Sequence, residues 1–272
     1  MKFITTTEDT YIDIIVKHLR LHNFKFTGKV EAVDSYVYVM NDNELVAGAK
    51  IHLSWNWVSL NDLMYDSPEE LKVIVKTIFD EYRGQFEGIS FYTKDEKRKD
   101  DFIMAGFKQS GFVEGTPLLK GTYCLTCNEF SIIDTELVCV HRKEKHEDLH
   151  QILLDFDKAY QKEQGLDLKK EHLSIVAYDE DEFMGGVLAI NTLDSMYIDL
   201  LVVNENYRKQ GLGKTLMLKA EKEAVKRNMD EITLGTTEFQ ARPFYEKLGY
   251  QVVYTKENNP KGFKCFSLTK KL

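Results

Sequence analysis

Proline is scarce in this chain, four in 272 residues, and cysteine is equally so. With so little proline, 43% hydrophobic and 29% charged residues the chain is neither disordered nor collagen-like, and 16 Phe and 14 Tyr supply ample material for a buried core. Cys124, Cys127, Cys139 and Cys265 are too few for a disulfide scaffold of this length, and a reducing compartment keeps them as thiols. Cys124 and Cys127 form a C-x-x-C without a second pair. Read as a strand, GTYCLTC turns residues three apart to opposite faces, so packing is expected rather than metal binding or redox chemistry. No run approaches the roughly 18 apolar residues of a membrane span, and MKFITTTEDTYIDII lacks the unbroken apolar core of a signal peptide. No membrane partner and a cytoplasmic location are expected. Basic stripes are also missing: 36 Lys and Arg against 44 Asp and Glu leave a net charge of −8. A nucleic acid is thereby disfavoured, and a cationic small molecule or peptide suits the field better.

What is present is length enough for two domains, and signs that one half repeats the other. An offset of 143 carries Val58-Ser59-Leu60 onto Leu201-Val202-Val203, Ile89–Thr93 onto Ile232–Thr236, and Ala105-Gly106-Phe107 onto Leu248-Gly249-Tyr250. Ile12, Ile15, Val16 and Leu19 give one helical face, opened by Thr7, and Leu71, Ile74, Val75, Ile78, Phe79 and Tyr82 give another. Their counterparts are Leu149, Ile152, Leu153, Phe156 and Tyr160, then Leu212, Leu216, Met217, Ala220 and Ala224. Strands are expected at 173–178, 183–190 and 196–203. The fold class is therefore α/β in two tandem domains, 1–130 and 131–272.

The sharpest motif is Arg208-Lys209-Gln210-Gly211-Leu212-Gly213, between the strand YIDLLVV and a helix. Two glycines let the backbone turn tightly and approach a ligand, and a helix start offers unpaired N–H groups with partial positive charge. Those features hold a pyrophosphate. Arg208, Lys209 and Lys214 add charge. The chain has neither a P-loop nor the dinucleotide fingerprint, which removes support for nucleotide hydrolysis and hydride transfer.

LLVVNENYRKQGLGKTLM followed by FQARPFYEKLGY resembles the GNAT superfamily of acetyl-CoA-dependent N-acetyltransferases, over about residues 136–272. The first half resembles the same fold without the cofactor motif. The resemblance implies for each half an α+β mixed sheet flanked by helices, and in the second a sheet that splays after its fourth strand, with pantetheine pairing to the backbone of Leu201, Val202 and Val203. It implies that Arg208, Lys209, Gln210, Gly211, Leu212, Gly213 and Lys214 wrap the CoA pyrophosphate. Tyr245 would protonate the departing thiolate, and a phenol near its ordinary pKa is protonated at neutral pH. Where family members commonly carry Asn, this chain has Glu238, and Gln240 is a candidate for the missing contact. Asp199, a charge inside an apolar strand, is the first candidate for the base, with Glu238 and Tyr197 in reserve. Strand alternation sets Asp199 with Leu201 and Val203, opposite Ile198, Leu200 and Val202.

The implied activity is acetyl transfer from acetyl-CoA, as co-substrate, to a primary amine of a small molecule or peptide, with no metal and with a homodimer left open. Two other readings compete. A non-catalytic CoA-binding or assembly module would keep the loop but tolerate replacement of Tyr245. A zinc peptidase would use His146-Glu147-x-x-His150, although this stretch reads as a solvated helix start beside HRKEK. In the first half Arg208–Gly213 maps, at 143, onto Tyr65-Asp66-Ser67-Pro68-Glu69-Glu70. Ser67, Pro68 and Glu70 form a helix start with a capping box, which occupies the amides a phosphate needs. Tyr245 maps onto Phe102, so the first copy is read as having lost both CoA binding and acid catalysis.

Overall fold

Apolar alternation and i, i+3, i+4 runs produce the expected strands and helices, but chain order does not predict which of them pack together. The computed structural model describes residues 1–28, 32–115, 121–130, 137–163 and 171–272. The first half contains β1 (Lys2–Thr6), α1 (Ile12–Thr27), β2 (Val33–Asn41), β3 (Glu44–Ser54), β4 (Trp57–Met64), α2 (Pro68–Glu81), β5 (Gly88–Thr93), α3 (Glu96–Met104), β6 (Lys108–Val113) and β7 (Thr122–Cys127). The second contains β8 (Val138–Arg142), α4 (Glu147–Glu163), β9 (Glu171–Asp179), β10 (Glu182–Thr192), β11 (Ser195–Val203), α5 (Leu212–Lys226), β12 (Glu231–Thr237), α6 (Arg242–Lys247), β13 (Gln251–Lys256) and β14 (Cys265–Lys271). The order matches the expected repeat, apart from a short edge strand opening each half. Thr7 does not cap α1, which is entered through a 3-10 turn at Asp9–Tyr11.

Among the described residues two seven-stranded mixed sheets form, ordered β8-β2-β3-β4-β5-β7-β6 and β1-β9-β10-β11-β12-β14-β13. Their topologies are identical, and their first strands are exchanged. β1 pairs antiparallel with β9 from Lys2↔Tyr178 to Thr6↔Ser174, while β8 pairs with β2 from Tyr36↔Arg142 to Met40↔Val138. The helices follow their strands. Ile15 of α1 packs with Val176, Phe183, Leu188 and Val202, and Leu153 of α4 packs with Tyr36, Tyr38 and Met64. The opposite faces are covered by α2 and α5, each from its own half. Duplicated units make such an exchange inexpensive, because each strand-helix pair suits either sheet. The boundary expected near residue 130 adjoins residues 131–136, outside the described residues. A cut there would leave each sheet without an edge strand and one covering helix.

The single offset of 143 holds only downstream. It relates Gly88 to Glu231 and Gly106 to Gly249, but Val33, Glu44 and Trp57 begin strands whose counterparts begin at Glu171, Glu182 and Ser195, 138 positions on. Val58 therefore corresponds to Met196 and not to Leu201. Between Met64 and the N-cap Ser67 lie only Tyr65 and Asp66, whereas Asn204 to Gln210 separate Val203 from the N-cap Gly211. Five extra residues make the second loop, so Arg208–Gly213 has no residue-by-residue counterpart in the first half.

Candidate active site

β11 runs parallel to β12 only from Ser195↔Glu231 to Ile198↔Leu234. Beyond that point the two strands part, and the backbone of Leu201, Val202 and Val203 has no ladder partner on the β12 side. A cavity of about 890 Å³ opens in the gap, within the size range of small-molecule sites. Leu201, Val202 and Val203 line one wall, the start of α5 a second, and Phe244 and Tyr245 of α6 a third.

Simple alternation fails at Asp199. The β10–β11 register passes from Leu188↔Leu200 to Ala189↔Ile198, leaving Asp199 as the extra residue of a β-bulge. Ile198 consequently shares the α5-side core with Leu201 and Val203, while Leu200 and Val202 face α1. The bulge, rather than strand alternation, aims Asp199 at the cavity it lines. Desolvation there raises its carboxyl above the usual carboxylate range, a shift that His172 partly opposes.

The loop before α5 owes its shape to two left-handed residues, Lys209 at φ 62° and Gly211 at φ 84°. Gly211 is the N-cap, with no side-chain cap and no acidic residue in the first turn. Thr215 N–H donates to the Gly211 carbonyl at 3.0 Å, so the amides of Leu212, Gly213 and Lys214 precede the first intrahelical bond. These three residues, unlike the capped start of α2, can offer their N–H groups to an anion. Arg208, Lys209, Gly211, Leu212, Gly213 and Lys214 all line the cavity. Two side chains serve the loop itself. Arg208 Nε donates to the Val203 carbonyl at 3.0 Å, and Gln210 Nε2 donates to the Asn206 carbonyl at 3.1 Å.

Tyr245 is 6% exposed and lines the same cavity. Burial, with a smaller contribution from Tyr197, raises its phenol pKa. Among the described residues its hydroxyl has no hydrogen-bond partner, and it is therefore available to a ligand. Gln240 also lines the cavity and accepts from Thr237 N–H at 2.9 Å. Its amide donates at 3.0 Å to Asn23 Oδ1 of α1, so the exchanged helix braces this wall. Leu19 of the same helix reaches the cavity as well. Glu238 instead turns to the backbone of Lys264, accepting its N–H at 3.2 Å.

A family model for the acetyltransferase (GNAT) domain matches residues 140–272. The second half is a GNAT acetyltransferase domain. The chain is an acyltransferase by that membership, and its two sheets fit two tandem domains of one fold. Among solved structures it is similar to an acetyltransferase from Bacillus cereus, at 27% identity over 47% of this chain and 96% of that one, TM-score 0.43. It is also similar to the aminoglycoside 6'-N-acetyltransferase from Enterococcus faecium, at 25% identity over 37% and 74%, TM-score 0.35. A GNAT family acetyltransferase from Elizabethkingia anophelis with acetyl-CoA bound is 18% identical over 37% and 76%, TM-score 0.33. The comparison with curated proteins gives no match.

In the first sheet the corresponding place is filled by aromatic side chains. Its β4–β5 ladder also ends early, at Ser59↔Ser90. Beyond it Phe91 stacks on Phe102 at 3.9 Å, and Tyr65 and Phe107 meet Phe102 edge-on. Phe102, the counterpart of Tyr245, is fully buried. At α2, Glu70 accepts from the amides of Asp66 and Ser67 at 2.8 and 3.2 Å while Ser67 accepts from Glu70 N–H, completing the expected capping box.

His146 and His150 do not act together. His146 Nδ1 accepts the Leu149 amide at 3.5 Å, whereas His150 is buried against Tyr36 and its Nε2 lies 3.8 Å from Asp62. Among the described residues no three His, Cys, Asp or Glu side chains are grouped to hold a metal ion. Cys127 faces the first core and Cys124 the opposite side of β7, as strand geometry requires. No helix among the described residues is long and apolar enough to cross a membrane.

Proposed function

We propose that the protein is an N-acetyltransferase that moves acetyl from acetyl-CoA to a primary amine, using only its second half for cofactor binding. The observation that carries this reading is the coincidence, in one cavity, of the strand split, the open α5 N-terminus and the Tyr245 hydroxyl. Bound acetyl-CoA supplies a thioester whose acyl carbon is open to attack by an amine. The amides of Leu212, Gly213 and Lys214, with the charges of Lys209 and Lys214, hold the pyrophosphate. Arg208 and Gln210 keep the loop in shape. The unpaired edge of Leu201, Val202 and Val203 holds the pantetheine amides.

Asp199, directly or through a water, takes the proton from the attacking amine, and its raised pKa makes it a stronger base than an ordinary carboxylate. The C–N bond forms as the C–S bond breaks. Tyr245 donates its proton toward the leaving sulfur, and burial keeps that proton in place at neutral pH. A small molecule or peptide amine outside any membrane or nucleic acid remains the proposed partner, and a cytoplasmic location the proposed setting.

The test is CoA release from acetyl-CoA across a panel of amines, with Tyr245→Phe and Gly211→Glu beside the wild type. Amine-dependent release that falls in both variants supports the reading. Unchanged turnover in Gly211→Glu overturns the loop assignment, and unchanged turnover in Tyr245→Phe overturns the acid.

A further inference from the structure

A second cleft, of about 370 Å³, lies between the two halves and is lined from both. Tyr92 and Lys94 enter from the first half, at the end of β5, and Tyr197, Glu231 and Gly235 from β11 and β12 of the second. Direct contacts fix the halves beside it: Ser110 and Tyr254 hydroxyls meet at 2.9 Å, and Trp57 Nε1 donates to the Asn258 carbonyl at 3.1 Å.

This cleft adjoins the larger cavity at one residue. Gly235 lines both cavities, and it is the first residue of β12 beyond the ladder with β11. A Cβ there would meet Tyr197 Oη at 3.5 Å. Gly235 is thus the wall the two cavities share, and the Tyr197 phenol lies against it. Tyr197 also interacts electrostatically with both Asp199 and Tyr245, the two groups assigned to proton transfer. An acceptor entering here approaches the thioester from the face of the sheet away from α5.

The charges in the cleft are unequal in their needs. Glu231 is buried and already satisfied by Lys271 Nζ at 2.8 Å and the Thr269 hydroxyl at 3.3 Å. Glu114 stands exposed at the rim, where solvent and salt screen it. Lys94 is half-buried and, among the described residues, has no ion-pair or hydrogen-bond partner, with Glu231 and Asp194 attracting it only at longer range. A partly desolvated ammonium without a contact partner favours an anionic ligand.

We propose that the cleft between the halves admits the acceptor, and that Lys94 of the first half receives an acid group on it, so that the substrate is a small amine that also carries a carboxylate. The first copy, without a cofactor of its own, thereby supplies a specificity-determining residue to the second. The inference rests on the acetyltransferase reading of the larger cavity.

The experiment is steady-state acetylation of matched acceptor pairs, a free amino acid or dipeptide and its C-terminal amide, by wild type, Lys94→Met and Lys94→Arg. Wild type is expected to favour the free acid by about tenfold or more in kcat/KM, through KM, as a charged hydrogen bond supplies. Lys94→Met brings that ratio near one and Lys94→Arg restores the preference, while acetyl-CoA affinity by calorimetry stays the same in all three. Equal use of acid and amide by wild type, or a preference that survives Lys94→Met, overturns this inference and leaves the acetyltransferase reading standing. Absence of transfer to every amine overturns that reading, and this inference with it.

Discussion

Ile15 belongs by sequence to the first half and by packing to the sheet of the second, and a double-mutant cycle tests this directly. Its side chain is fully buried among Val176, Phe183, Leu188 and Val202. Cutting it to Ala removes three carbons from that cluster, at a cost of about 2–5 kcal/mol. Gly186 of β10 lies under the same side chain: a Cβ there would fall 2.8 Å from Ile15 Cδ1, 3.0 Å from Ile15 Cγ1 and 3.1 Å from Val176 Cγ1. Gly186→Ala alone therefore overpacks the site, costing about 1–3 kcal/mol. In the Ile15→Ala background the new methyl enters the space Ile15 vacated. The double variant should be more stable than the sum of the singles predicts, by about 1 kcal/mol or more. Urea unfolding followed by far-UV circular dichroism is the suitable assay, because Trp57 contacts Asn258 and Lys256 of the other half and its fluorescence would mix the two. Additivity within about 0.5 kcal/mol would mean that residues 15 and 186 do not touch, and the strand exchange would be refuted.

Three further outcomes follow from the site and its degenerate copy. Tyr245→Phe should lower kcat by roughly 10²-fold or more while leaving acetyl-CoA affinity intact, since it removes a proton donor and keeps the ring; an equal loss in affinity would make the residue a packing group. Because the Asp199 carboxyl is raised, it gains its proton at a higher pH than an ordinary carboxylate, so kcat/KM should fall as pH drops through that raised value, and Asp199→Asn should abolish the limb. The sign for stability is opposite: the folded state holds that proton more tightly than the unfolded chain, so the group lowers stability as pH rises through the window. Ser67→Ala, which removes the cap of α2, should cost about 1 kcal/mol in urea melts without altering acetyl-CoA binding.

Local features of the fold were legible from the chain because they obey local rules. The α2 capping box is written in Ser67, Pro68 and Glu70, and the β9–β10 turn in the acidic stretch Asp179–Glu182. Arg208, Lys209, Gly211, Leu212, Gly213 and Tyr245 line one cavity, and their meeting there is implied by the family resemblance rather than by any local rule. Pairing choices carry no such mark. Nothing in Lys2–Thr6 specifies Ser174–Tyr178 as its neighbour over the equivalent β2, since both sheets present the same kind of edge. The bulge at Asp199 was hidden in a run that reads as continuous alternation. A change of offset from 138 at β4 to 143 at β5 would have revealed the loop extension, but only if the strands before it had been aligned separately. Lys94 gave no signal in the sequence, because its importance comes from the approach of two sheets.

In the proposed arrangement two copies of one fold share a single working cofactor site, and calorimetric titration with acetyl-CoA counts the sites. One site per chain is expected, unchanged by Phe102→Tyr in the first half and lost in Gly211→Glu, where a side chain is forced onto φ 84° and a carboxylate onto the open end of α5. Two sites per chain, or full binding by Gly211→Glu, would rule out a single cofactor site in the second half.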